Sequence, residues 1–245
     1  VFRKATGDQA VIEPSLIKLK HRPVAQSVVL VFHPNHLETY LKINGYDADK
    51  GHSFNVYKYY KPPKKGMPGV AGPAIGAPAA TSLIETIIAL GAKKILGYGA
   101  CGSLQTDLET GQLLVPVRGY SEEGASQHYF PDQRLFETSG SLRAALEGHL
   151  LDHKIPYRFG DIWTTDAFFR ETADKVTHYQ NQGVMGVDME NSAMCAVADF
   201  RQVEYAALLV VSDELGTLRW KPGFMMPKFK HALKSTMATL GSFRV

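Results

Sequence analysis

A single α/β domain, built on a central mixed but mostly parallel sheet with helices on both faces, is the fold these 245 residues predict. Three observations carry that expectation. The runs 28–32 (VVLVF), 184–189 (VMGVDM) and 206–211 (AALLVV) are short and nearly all apolar, as strands covered on both faces are. Between them lie stretches with apolar residues at helical spacing, joined by glycines and prolines. Finally, a chain of this length with 44% hydrophobic and 10% aromatic residues has enough for one sizeable core, so the domain is taken as 1–245.

In chain order, residues 1–23 mix polar side chains with Pro14 and Pro23. After the strand at 28–32, His33-Pro34-Asn35-His36 leads into a helix through Leu37, Tyr40, Leu41 and Ile43, which Gly45 closes. His36 is either a loop residue or a ligand. Two strand-like runs, 56–60 and 67–71, flank the basic proline loop from Lys61 to Lys65 in hairpin fashion. The glycines and prolines of 72–78 then suit a turn into a helix that carries Leu83, Ile84, Ile87, Ile88 and Leu90 and stops at Gly91.

Gly97, Gly99 and Gly102 satisfy G-x-G-x-x-G literally, yet a dinucleotide site needs a helix of several turns after the glycines. Here Gly111 follows nine residues after Gly102, and 113–117 (LLVPV) is already the next strand. The glycines are therefore read as a tight turn whose backbone N–H groups can approach an anion, or as a close-packed turn without that role. A helix is expected over 141–152, and 157–169 as a strand running into a turn that carries Phe168.

The run 184–189 meets a helix that carries Ala193, Met194, Ala196, Val197 and Phe200, which places Glu190 in its first turn. A carboxylate there also suits the helix dipole and free N–H groups, so this position alone does not settle a role. A second acid, Asp213, follows the run 206–211. In open parallel sheets ligands bind beyond the carboxyl ends of strands, so two strand-end acids can share a crevice and divide acid–base work on one substrate. The loop 216–223 beside them is polar and flexible, with Arg219 and Lys221 as candidate lid residues, and a closing helix is expected over 224–240.

Met189-Glu190, Ser212-Asp213 and the acid-Gly-Ala-Ser segment from Glu123 to Ser126 resemble motifs of the nucleoside phosphorylase family, which includes purine nucleoside phosphorylases, uridine phosphorylases and methylthioadenosine nucleosidases. The resemblance implies N-ribosidic cleavage of a nucleoside. It gives Glu190 the ribose hydroxyls with Met189 as apolar backing, Phe168 the base by stacking, and Asp213 the proton for a purine nitrogen. Gly99, Ala100, His36 and Ser126 become the phosphate or water site. Thr172 and Asp174 stand where uridine-acting relatives carry Gln and Arg, so a purine-like base is favoured. Phe32, His36, Ser53 and Gly97 stand where the phosphorylases place a glycine and three phosphate-binding arginines, so hydrolysis stands close behind phosphorolysis, with a non-catalytic nucleoside-binding protein as the reading from another class. No cofactor and no metal are implied, phosphate being the one co-substrate.

Other classes are disfavoured by composition. A formal charge of +3 is scattered, and the 61–65 run lacks interleaved aromatics, so no nucleic-acid partner is expected. Cys101 and Cys195 have no metal-type spacing and suit a reducing cytoplasm. No segment reaches membrane-span length, and Arg3, Lys4, Asp8 and Glu13 are unlike a signal peptide. Family members are oligomers, so a dimer or hexamer is implied. Tyr57, Tyr59, Tyr60, Tyr129 and Phe130 are the candidate interface aromatics.

Overall fold

The structure is a computed structural model, and it describes residues 10–14, 23–54 and 56–244. Of the acids and bases weighed against a signal peptide, Arg3, Lys4 and Asp8 lie outside the described residues.

The apolar run at 28–32 forms β1 (Ser27–Val31), in which Val28 and Leu30 face one side of the sheet and Val29 and Val31 the other. That period of two, apolar on both faces, identifies a central strand. Pro34 occupies the first turn of α1 (Pro34–Asn44) and Gly45 ends it at φ 71°, the left-handed turn the sequence predicts. β2 (His52–Phe54), β3 (Tyr57–Tyr60) and β4 (Gly69–Gly72) follow as an antiparallel meander, of which the sequence had signalled the last two. Then come α2 (Ala77–Ala89), β5 (Lys94–Ser103), β6 (Leu113–Ser121), β7 (Leu135–Glu137), α3 (Gly140–Asp152), β8 (Arg158–Thr164), α4 (Ala173–Asn181) and β9 (Gly186–Asp188). α5 (Asn191–Phe200), β10 (Glu204–Glu214), β11 (Lys221–Pro222) and α6 (Pro227–Leu240) complete the order.

β5 is the centre of the sheet. It pairs in parallel with β1 and β10 and antiparallel with β9, while β8 joins β9 and β6 in parallel and β6 meets β10 antiparallel. Helices cover both faces. α2 and α5 pack over Leu30, Ile95 and Leu209, and α1, α3 and α6 over Val29, Leu96 and Leu208. A smaller cluster of Leu104, Trp163, Val176, Val187 and Leu215 seats α4 at one end of the sheet. Among the described residues no helix is long and apolar enough to cross a membrane.

Three expectations are corrected. The glycine stretch 97–102 is no turn but the interior of β5, whose backbone is engaged in ladders to β1 and β10 and so is not free to cradle an anion. Gly97 and Gly99 are instead demanded by packing: a Cβ on Gly99 would stand 2.5 Å from Phe32 Cδ2, and one on Gly97 would stand 2.6 Å from the Tyr205 hydroxyl. Secondly, the loop 216–223 is tied down, because β11 pairs back on Asp213 and Glu214, and Gly223 donates to the Ser212 carbonyl at 2.9 Å. Thirdly, Tyr57, Tyr59 and Tyr60 are buried within their own chain and offer no free surface, while Tyr129 and Phe130 are half-buried against the core. Among the described residues the exposed Phe and Trp side chains are Phe159, Phe168, Phe169, Phe200, Trp220 and Phe224.

Candidate functional site

Glu190 closes the short β9 and opens α5, where its backbone carbonyl accepts the first helical bond from Met194. Its side chain is buried at 6% exposure rather than splayed on the surface as a dipole partner would be. Oε1 accepts a 2.6 Å bond from the Gly76 N–H at the start of α2, and the Met189 N–H also favours the charged form of this carboxyl. A bidentate ion pair between Arg201 and Glu85, at 2.8 and 2.9 Å, ties α5 to α2 and so holds Gly76 against Glu190.

Asp188, two residues earlier and fully enclosed, accepts from Thr164 Oγ1 at 2.7 Å and from the Asn191 N–H at 2.8 Å. Burial pushes both carboxyls up, helped by the charge of Glu123 at Asp188 and by that of Asp188 at Glu190. Asp188 has three donors, Thr164 Oγ1 and the Asn191 and Glu190 N–H groups, and Glu190 has two, the Gly76 and Met189 N–H groups, so the charge of the pair rests on Asp188 and the proton on Glu190. Behind them Glu123, also buried, accepts from Ser121 Oγ, Ser192 Oγ and the Ser126 N–H, each at 3.0 Å. Ser126, expected at a phosphate or water site, is wholly buried and consumed by this network.

Asp213 reaches the same region from the other side of β5. Gly102 is registered against Val187 of β9 on one flank and Asp213 of β10 on the other. At one strand spacing each, the two acid-bearing strands are about 10 Å apart there. They run in opposite directions, which departs from the expectation of two parallel strand ends. Cys101, buried between them, has its thiol pushed up by burial and by the charges of both Asp188 and Asp213. A bulge at Ser212 shifts the register so that Asp213, not Ser212, lies opposite Gly102. Ser212 Oγ lies 2.6 Å from Asp213 Oδ1 and 3.1 Å from the Cys101 carbonyl, and the Trp220 indole N–H donates to Oδ2 at 2.8 Å.

Phe168 sits on a 3-10 turn after β8, 52% exposed, with Phe169 against it at 4.1 Å between ring centroids. An open aromatic face fits the stacking expectation. Three residues on is Glu171, which the sequence reading missed. Its carboxyl is half-buried and bonded by none of the described residues, and burial together with the charges of Asp213 and Glu122 pushes it up to about 7. Thr172 and Asp174 do not face a base: Thr172 caps α4 through Oγ1, and Asp174 lies in its first turn.

Of the remaining candidates, Met189 is half-buried beside Glu190, and Ala100 is half-buried in β5. Gly99 lies beneath Phe32, itself only 4% exposed. His36 stacks on His33 at 4.8 Å, and burial, then His33, lowers it to about 4, so it is uncharged at neutral pH. A string of rings, Trp220–Phe224–Phe229–His36 with centroids 6.3–6.4 Å apart, connects that imidazole to the Asp213 side of the site. Arg219 is exposed, and Lys221 pairs with Glu214 at 3.5 Å.

An α/β sheet that carries a buried helix-start glutamate and an aspartate across one central strand defines a class, and the family profile agrees. Residues 28–236 match the phosphorylase superfamily, and the chain belongs to it. It is 27% identical over 150 residues to a guanosine phosphorylase of Halorubrum lacusprofundi, a match covering 60% of this chain and 61% of the relative. This match thus spans about three-fifths of the length of that relative. Among solved structures the fold is similar to a purine nucleoside phosphorylase of Toxoplasma gondii in complex with immucillin-H (TM-score 0.75, 22% identity, 89% of this chain and 91% of that one). It is also similar to a Helicobacter pylori 5'-methylthioadenosine/S-adenosyl homocysteine nucleosidase (TM-score 0.71, 21% identity, 91% and 97%).

Proposed function

We propose that this chain cleaves the N-ribosidic bond of a purine nucleoside and that water accepts the ribosyl group. The observation that carries the reading is the pair of carboxyls flanking the end of β5: Glu190, with Oε1 fixed by Gly76, and Asp213 across Gly102. Glu190 Oε2 takes the vicinal ribose hydroxyls, with Met189 backing the sugar. As the C1'–N bond breaks, positive charge grows on the sugar, and Glu190, its proton passed to solvent water, stabilises that charge as a carboxylate. The electron pair leaves with the base. Asp213 hands its proton to a ring nitrogen, so the base departs neutral and Asp213 is left a carboxylate. Water bonds to C1' and releases its own proton to solvent.

Phe168 holds the base by its face, while Glu171 and Asp213 offer carboxyls to its polar edge. Water is favoured over phosphate because Phe32 fills the space above Gly97 and Gly99, and because His36 is neutral where the resemblance asks for an arginine. Phosphorolysis is kept as the second reading, since the relative from Halorubrum is named a phosphorylase.

Guanosine, inosine, adenosine and uridine, each with and without phosphate, followed by assay of free base, test the proposal. Base release from a purine nucleoside at equal rate in both conditions is the expected result. Release only with phosphate makes the chain a phosphorylase, and binding without release makes it a nucleoside-binding protein.

A further inference from the structure

Asp213 meets the catalytic requirement of a general acid only if its carboxyl is aimed and if the charge left after proton transfer is stabilised. The surroundings provide little cationic help. Glu171 faces it from the turn after β8, Cys101 from β5, and Glu214 is its neighbour on β10, with Lys221 of β11 committed to Glu214. The donors that reach Asp213 are two neutral groups, Ser212 Oγ on Oδ1 and the Trp220 indole N–H on Oδ2. Ser212 has one proton and two acceptors in range, Oδ1 and the Cys101 carbonyl. An indole N–H can only donate.

Trp220 is also an odd residue to find where it is. It is 64% exposed, yet the chain fixes it in place: β11 begins at the next residue and pairs with Asp213 and Glu214, and Leu218, at φ 56°, donates its N–H to the Leu215 carbonyl at 2.8 Å. Gly223 closes the hairpin where a Cβ would stand 2.3 Å from Thr110 and 2.6 Å from the Ser212 carbonyl. Burial does not explain such a clamp on an exposed ring; a bond that must point at one oxygen does.

We propose that Trp220 is the positioning residue of Asp213, its indole N–H fixing the carboxyl during proton transfer to the base and stabilising the carboxylate that transfer leaves behind. The proposal rests on the purine-cleaving reading above and adds to it a group that touches neither sugar nor reacting bond. The proton leaves Asp213 for the base nitrogen, and the indole keeps its own proton throughout. A donor of this kind acts mainly once charge has formed, so its effect falls on turnover more than on substrate binding.

The test is Trp220→Phe, which keeps the ring and deletes the donor, alone and combined with Asp213→Asn. The variant is expected to lower kcat for a purine nucleoside by about ten- to thirtyfold with KM changed less than about threefold. In the Asp213→Asn background the same substitution should have no further effect on kcat. A KM that rises as much as kcat falls, or a full extra loss in that background, overturns the positioning role. If Asp213→Asn alone leaves kcat intact, the acid reading of Asp213 fails instead, and the two failures are distinct. A readout without turnover completes the test. The indole N–H signal of Trp220 in a 15N–1H spectrum should move when Asp213 is changed to Asn, and the signal of buried Trp163 should stay fixed; an unmoved Trp220 signal overturns the proposal.

Discussion

Glu190 and Asp188 show what a pair of buried carboxyls costs a fold. Neither has a cation against it, and burial raises both above the ordinary range. A raised carboxyl binds its proton more tightly folded than unfolded, so its contribution to stability is complete below about pH 4 and is lost as pH rises through the folded value. Glu190→Gln keeps an acceptor for the Gly76 N–H and removes the titration. The variant should therefore be more stable than wild type by about 1–3 kcal/mol at pH 8, with the difference shrinking toward pH 5, as denaturant unfolding at the two pH values would reveal. The same variant should lose riboside cleavage. Much of this site was legible: a carboxylate at the junction of an apolar run and a helix was enough to single out Glu190, and Ser212-Asp213 ended a run just as short. Glu171 was not legible. Its environment is made by Asp213, 42 residues on, and by Glu122 from the strand turn before it, and no local pattern announces a carboxyl left without a partner.

The element that most misled sequence reading is β5. Three glycines within ten residues suggest a turn by propensity, since glycine weakens strands. What overrides propensity is the neighbour: Phe32 and Tyr205 occupy the room that side chains at 97 and 99 would need. The pairing can be tested directly. Gly99→Ala should cost about 1–3 kcal/mol by overpacking against Phe32, and that cost should largely vanish in a Phe32→Ala background, where the ring is gone. Thermal unfolding of the four proteins of that cycle would check it. α4 was missed for a different reason: its start, Thr172 as cap with Asp174 in the first turn, is a helix signal that the comparison with uridine-acting relatives had drawn attention away from. The helices that carry long apolar stripes, α1, α2, α5 and α6, were legible because each stripe is also a seat on the sheet.

At the scale of the whole chain, the two faces of the sheet were anticipated by runs apolar at every position, and the helices covering them lie where the intervening patterns put them. The reason offered for self-association has changed. The tyrosines of the hairpin are inside, and four of the exposed aromatic rings stand near the site, Phe168 and Phe169 on one turn and Trp220 and Phe224 on one segment. We still propose an oligomer, on family resemblance and on that relocated surface. Light scattering at micromolar protein should return a multiple of the 27.0 kDa chain mass, and a mass of one chain would refute it.

The bulge at Ser212 has a consequence best put as parity. Along β10, odd-numbered Tyr205, Ala207, Leu209 and Val211 point to the α2–α5 side, and even-numbered Ala206, Leu208 and Val210 point to the α1–α6 side. By count alone Asp213 belongs with the odd residues. One unpaired residue reverses the count, so Asp213 shares its side with Gly102, where a Cβ would stand 3.5 Å from Asp213 Oδ2. The side of the sheet on which this acid appears is thus set by its register against Gly102 and not by its place in the count. Deleting Ser212 should seat Asp213 directly after Val211, still opposite Gly102 and on the same side, so the circular dichroism should stay largely intact and base release should fall only by what the Ser212 donor on Oδ1 contributes, without being abolished.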